Sequence, residues 1–137
     1  MFPIRDDNPT RHRPLLTLVV IVACTVIYFG VQPQDETGGA AFLYENAAIS
    51  CEILGLEPLT IDEITTGRCG EGSDVAFPSK SIAASVFASI FLHANLVHLG
   101  TNMWSLWIFG NNIEDRLRGF RFARFYLGTG VVATLAF

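Results

Sequence analysis

Leu15-Leu-Thr-Leu-Val-Val-Ile-Val-Ala-Cys-Thr-Val-Ile-Tyr-Phe-Gly-Val31 is almost unbroken hydrocarbon, and no Asp, Glu, Lys or Arg occurs from Pro14 to Gln34. A helix of roughly 20 residues crosses the hydrocarbon core of a bilayer, so residues 14–34 are expected to form a transmembrane helix. A secretory signal is the competing reading, because Arg11, His12 and Arg13 precede the run. The run is longer than a usual signal core, however, and no small-x-small cleavage site closes it. Cys24, inside the run, reads as a small packing residue.

The rest of the chain agrees with a membrane class: half of its 137 residues are apolar and the mean hydropathy is +0.40. A second charge-free run extends from Ser81 to Ile113. As one straight helix it would be ~50 Å long, too long for a single perpendicular span. The polar cluster His93-Ala-Asn95 is the natural break, which gives an interfacial or re-entrant segment over 81–95 and a second membrane helix over 96–113. A third apolar run starts near Phe122 and continues to Phe137. A terminus there would place a carboxylate in hydrocarbon, so the expectation is a chain cut within its third span. The expected fold class is all-α, a polytopic helical membrane protein.

Arginine placement sets the orientation. Arg5, Arg11 and Arg13 precede the first span, and Arg116, Arg118, Arg121 and Arg124 follow the second. Segments 1–13 and 114–121 are therefore expected on the cytoplasmic side. Between the spans, the loop 35–80 carries nine acidic residues against Arg68 and Lys80, which suits the outer side. Its Gly and Pro breakers and a candidate amphipathic stretch over 40–54 suggest partial structure. Cys51 and Cys69 both fall in this loop, where a disulfide can form. There is no internal repeat, no low-complexity tract and no basic amphipathic surface suited to nucleic acid.

The polar side chains of the second run hold the candidate chemistry. In Phe91-Leu-His-Ala-Asn-Leu-Val-His-Leu-Gly-Thr-Asn102, His98 and Asn102 are four apart and share a helix face. His93 is rotated by well over a third of a turn and precedes the break, so it more naturally organises the helix entry. An imidazole N–H and an amide aimed at one point are donors of the kind that stabilise a developing oxyanion, and they gain strength where water is scarce. No local nucleophile accompanies them. Ser105 is ~10 Å further along the helix, and Ser89 has the i to i+4 spacing to His93 but no third group to orient the pair. Interhelical hydrogen bonding that merely holds helices together remains open as the plainer reading. A metal or haem site is disfavoured, because i to i+5 spacing splays two helical histidines apart and no acidic or thiol partner adjoins them. Thr101 and Ser105, like Gly128 and Gly130, are small enough to let a helix approach closely. Trp104 and Trp107 read as lipid or helix contacts.

The series His93-x4-His98-x3-Asn102, followed by Phe109-Gly-Asn-Asn-Ile-Glu114-Asp-Arg116, resembles the second transmembrane segment of rhomboid intramembrane serine proteases. The acidic loop and Asp7-Asn8-Pro9 also resemble bacterial members, so the likeness is expected over most of the chain. The resemblance implies a rhomboid-like bundle in a bacterial plasma membrane, truncated within its third helix. It implies that His98 and Asn102 help to form the oxyanion site, that His93 organises the active-site end of the helix, and that Glu114 and Arg116 make structural contacts at the cytoplasmic turn. The implied enzyme is a serine-type endopeptidase that cleaves transmembrane helices of membrane proteins, without metal or organic cofactor. Its partners are those substrate helices and the lipid bilayer. Its serine belongs to a Gly-x-Ser-Gly motif on a later span and its histidine to a still later one. No such string occurs among the 137 residues, which implies that they are inactive alone. The implied alternative is an inactive rhomboid-like protein that binds transmembrane helices without cutting them. Two departures stand out: no Trp-Arg pair lies near Pro78, and Arg118 occupies the turn position where glycine is common.

Overall fold

The computed structural model describes residues 11–136, all of whose regular elements are helices apart from one isolated β-bridge between Thr60 and Val75. The expected segment 1–13 lies outside the described residues except for Arg11, His12 and Arg13, and so does the Asp7-Asn8-Pro9 string. The helices are α1 (Leu15–Gly30), α2 (Glu36–Asn46), α3 (Ser50–Gly55), α4 (Ile61–Thr66), α5 (Ile82–Ser89), α6 (Leu96–Ser105), α7 (Asn111–Leu117) and α8 (Gly119–Leu135). A π-helical turn over Leu106–Gly110 joins α6 to α7. Two compact units result: the chain up to Gln32 with His93–Thr129, and Pro33–Leu92 with the chain from Gly130 onward.

In the first unit the helical backbone is continuous from Leu96 to Leu117, since Ser105, Leu106, Gly110 and Asn111 all keep right-handed helical dihedrals. The widened π turn adjoins a close approach to α1. A Cβ added to Gly110 would lie 3.2 Å from both Thr17 Cγ2 and Thr17 Oγ1, and 2.9 Å from Leu106 Cδ1, so any larger residue there would make Thr17 and Leu106 shift. The interior of this unit is partly polar. Thr17, Cys24 and Tyr28 are the buried residues of α1, whereas Leu15, Val19, Val22, Val26 and Phe29 are each 59–62% exposed. α1 thus wears its large apolar side chains outward.

The expected cytoplasmic turn over 114–121 is shorter than read from the sequence. α7 continues through Leu117 and α8 begins at Gly119, leaving Arg118 as the single residue between them, at φ 58° and ψ 135°. Gly119 follows at φ 34°, so two successive left-handed residues reverse the chain with no longer loop.

None of the described helices is long and apolar enough to cross a membrane. α1 has 16 residues, and its length of about 24 Å falls short of a ~30 Å hydrocarbon core. α8 carries Arg121 and Arg124 near its start, and the apolar stretch of α6 is interrupted by His98 and Asn102. The three spans expected from hydropathy are therefore not met by any one helix as observed.

The acidic loop belongs to the second unit, and it is folded. The stretch 40–54 is not one amphipathic helix; it is split between α2 and α3 at Ala47–Ile49. Lys80 explains the split. Its ammonium, 1% exposed, donates to the carbonyls of Tyr44 and Ala47 at 2.6 and 2.8 Å, where α2 ends, and pairs with Glu52 Oε2 at 2.6 Å. A cation at a helix C-terminus satisfies orphan carbonyls and complements the helix dipole. Glu52, itself fully buried, also accepts from the backbone N–H groups of Ile49 and Leu59. The buried ions thereby have the several partners that burial demands. Asp35 caps α2 through Gly38 N, and Thr60 with Glu63 forms a reciprocal capping box on α4. Cys51 and Cys69 are joined by a disulfide, with their Cα atoms 5.2 Å apart.

Candidate active site at the start of α6

Asn95 starts α6. Its backbone is extended, and its side-chain carbonyl accepts from His98 N at 2.9 Å, which satisfies one of the helix's orphan N–H groups. His98 is thus anchored by its own main chain at the third helical position, and Asn102 follows one turn later. Both side chains are exposed on α6, beside Val97 at 74% and Trp104 at 48% exposure. The two donors share a face, and that face is uncovered within the described residues.

His93 behaves differently. It is 3% exposed, and its main chain is held by the side-chain amide of Gln32, which lies just beyond α1. Gln32 Nε2 donates to His93 O at 3.0 Å, and His93 N donates to Gln32 Oε1 at 3.2 Å. One amide therefore satisfies both backbone groups of a buried residue in a non-helical segment, as burial requires. The ring of His93 lies edge-on to that of His98, with centroids 5.4 Å apart and planes at 67°. Helical phase alone separates these histidines; the break at Asn95 brings them together. Buried His93 sits behind exposed His98, an arrangement able to fix the orientation of the outer imidazole. Gln32 was not singled out by the sequence, because nothing in a polar residue after an apolar run reveals a partner 61 positions away.

At the other end of the continuous helix, Glu114 is buried, with 7% exposure. Its Oε1 accepts from Leu16 N at 2.9 Å, and its Oε2 accepts from Thr17 N at 2.8 Å and Thr17 Oγ1 at 2.7 Å. α1 starts after Pro14 and has no side-chain cap of its own, so the Glu114 carboxylate serves its first-turn N–H groups from a distant part of the chain. Asp115 beside it accepts from the backbone N–H of Arg11 and of His12. These bonds, with the side-chain bond from His12 as the largest cause, hold the Asp115 carboxyl below the usual carboxylate range. Arg116 is exposed and lines an open cavity with Arg11, His12, Asp115 and Arg118. Glu114, the other residue expected to make structural contacts at this turn, and Asp115 make the hydrogen bonds described above.

The serines considered as nucleophiles are otherwise engaged or out of reach. Ser89 Oγ donates to Ser85 O at 2.9 Å and accepts from Ala48 N at 2.8 Å, which commits it to the main chain of the second unit. Among the described residues no cluster of three or more His, Cys, Asp or Glu could hold a metal ion. The site as it stands offers hydrogen-bond donors and an ordered imidazole pair.

Comparison with known proteins bears on this segment in particular. Residues 81–137 match the rhomboid domain family, a range that includes His93, His98, Asn102, Glu114 and Arg116 but not the acidic loop or its disulfide. Over 56 residues the chain is 36% identical to the presenilin-associated rhomboid-like protein, mitochondrial, of Bos taurus. The aligned part is 41% of this chain and 15% of that protein. No solved structure matches. The relative is mitochondrial, so it lends nothing to the bacterial type or the bacterial plasma membrane expected from the sequence, and the match is narrower than the likeness over most of the chain expected there. What these comparisons show is a likeness to the rhomboid family over part of the chain, residues 81–137 for the family model and 56 residues for the mitochondrial relative.

Proposed function

We propose that the chain supplies the oxyanion-stabilising part of a rhomboid-type intramembrane serine endopeptidase. The observation that carries this reading is the uncovered face of α6, where His98 and Asn102 stand one turn apart and buried His93 backs His98 at 5.4 Å. Two adjacent donors act on a tetrahedral oxyanion when a nucleophile approaches the same face, and they are worth most where water is excluded. The serine and the proton-transferring histidine are to be supplied from outside these residues, since no Gly-x-Ser-Gly string lies within them.

Membrane insertion belongs to the same proposal. The inverted character of α1, with Thr17 and Cys24 fully buried and Leu15, Val19, Val22 and Val26 outward, suits a solvent of lipid tails rather than water. The N-terminus is placed on the arginine-rich cytoplasmic side by the charge rule. Transmembrane helices of other proteins are the substrates this reading implies.

The test uses the complete reading frame, purified with a transmembrane reporter substrate. Asn102→Ala is expected to lower kcat by about 100-fold while KM changes little, because an oxyanion donor acts mainly in the transition state. An unaltered kcat would reject the role. The second reading is a rhomboid-like protein that binds transmembrane helices without cutting them, and the complete reading frame separates the two: a Gly-x-Ser-Gly span with a later helical histidine favours the enzyme, and their absence from it favours the binder. Capture of the intact reporter by the complete protein, with no cleavage under any condition that keeps it folded, would establish that reading instead.

A further inference from the structure

Where α1 begins and α7 ends, Arg11, His12, Asp115, Arg116 and Arg118 line one open cavity of about 350 Å³. Three arginines and one carboxylate residue are among that lining. That carboxylate is used elsewhere: Asp115 Oδ1 accepts from Arg11 N at 3.1 Å and His12 N at 2.9 Å, and lies 2.8 Å from His12 Nδ1. Among the described residues it forms no ion pair with any of the three guanidinium groups.

The imidazole keeps the carboxylate and one guanidinium apart. Arg118 Nη2 lies 3.1 Å from His12 Nε2, and a guanidinium can only donate, so Nε2 is the acceptor and Nδ1 carries the proton given to Asp115. His12 thus stands between the Asp115 carboxylate and Arg118 and holds the arginine at the cavity. The backbone at Arg118 stands at φ 58°, ψ 135°, a region that residues with a side chain avoid. An arginine kept in a conformation that suits glycine is a reason to look for work done by its side chain.

A cavity lined by guanidinium groups fits an anion with several oxygens on one centre, and phosphate takes paired N–H donors best. Leu15, Leu18 and Val19, on the next turn of the chain, are 62, 40 and 59% exposed. A phosphate in the cavity would thus lie at the head of an apolar track able to take acyl chains. We propose that this cavity binds the phosphate of an anionic phospholipid headgroup, with Arg116 and Arg118 as its principal ligands. The lipid source rests on the membrane reading of α1 given above; the anion site itself does not.

Calorimetric titration of the full chain in uncharged detergent tests the proposal, with dihexanoyl phosphatidylglycerol, dihexanoyl phosphatidylcholine and inorganic phosphate as separate probes. Phosphatidylglycerol should bind saturably and more tightly than inorganic phosphate, and phosphatidylcholine should not bind. The R116A/R118A pair should weaken phosphatidylglycerol binding about tenfold or more, whereas R121A/R124A, an equal loss of charge outside the cavity, should stay within about twofold of the native chain. Equal weakening by both pairs would overturn the site in favour of general electrostatics, as would equal binding of the two lipids. Binding of inorganic phosphate alone would overturn the lipid source. If circular dichroism shows the alanine pair unfolded, R116K/R118K against R121K/R124K carries the same comparison, with several-fold weakening expected for the cavity pair only. Short-chain lipids reach the cavity whether or not α1 spans a bilayer, so failure here leaves the protease reading to its own test.

Discussion

Glu114 shows how much one side chain can hold. Its two oxygens serve two backbone N–H groups and a hydroxyl at the start of α1, and it has almost no access to water. Glu114→Ala leaves those donors unsatisfied, and the expected loss of stability is about 2–4 kcal/mol, read by urea unfolding in detergent. Glu114→Gln keeps one acceptor oxygen but turns an amide NH2 toward donors, so its loss should be large as well; a native-like glutamine variant would refute the capping role. Arg118 poses the opposite case. Arg118→Gly removes a side chain from a left-handed position, and the release of strain, about 1 kcal/mol, should offset the lost hydrogen bond to His12. Thermal unfolding should therefore show no drop in Tm. At this scale the sequence was informative about type and silent about partner. His93, His98, Asn102 and Glu114 stand out as polar residues in or beside an apolar run, but Gln32 and Thr17 do not, because their importance comes from residues about 60 and 100 positions away.

The elements divide along the same line. The start of α6 at Leu96 is legible because Asn95 is a good N-cap before an apolar-periodic segment, and local chemistry decides it. Asn95→Ala should cost about 1 kcal/mol and lower the amide-exchange protection of the first turn, where His98 N loses its acceptor; Asn95→Asp should restore both. The π turn is not legible. Leu-Trp-Ile-Phe-Gly has helical spacing in either register, and the turn is seen only in the packing of Gly110 against Thr17. Gly110→Ala would force Thr17 and Leu106 to move, with an expected loss of about 1–3 kcal/mol. The break between α2 and α3 escaped the sequence for a similar reason: Lys80, which ends α2, is 33 residues beyond Ala47. The apolar count likewise says nothing about where helical hydrogen bonding stops, and α1 ends at Gly30, short of the segment 14–34 expected from hydropathy.

Across the whole molecule the two units are held by different chemistry and should answer to different perturbations. In Pro33–Leu92 the disulfide joins cysteines 18 positions apart, for which the chain-entropy account gives about 3 kcal/mol. Reduction should therefore raise amide exchange within this unit, around α3 and α4. The unit that contains α1 and α6 has no disulfide among its described residues and relies on carboxylates instead. Asp115 is the titrating one: bonds from His12 and from the backbone of Arg11 depress its pKa in the folded chain. A depressed carboxyl contributes stability that is fully present above its unfolded value and is lost as pH falls through the folded one. Exchange at Arg11 N and His12 N should accordingly be slowest, after correction for intrinsic rates, above the ordinary carboxylate range. It should quicken as the medium is acidified below that range. Asp115→Asn should abolish this acid dependence at those two amides while leaving the response of α3 and α4 to reduction unchanged. If the acid response at Arg11 and His12 persists in Asp115→Asn, the charge that holds the start of α1 to α7 is not the one on Asp115.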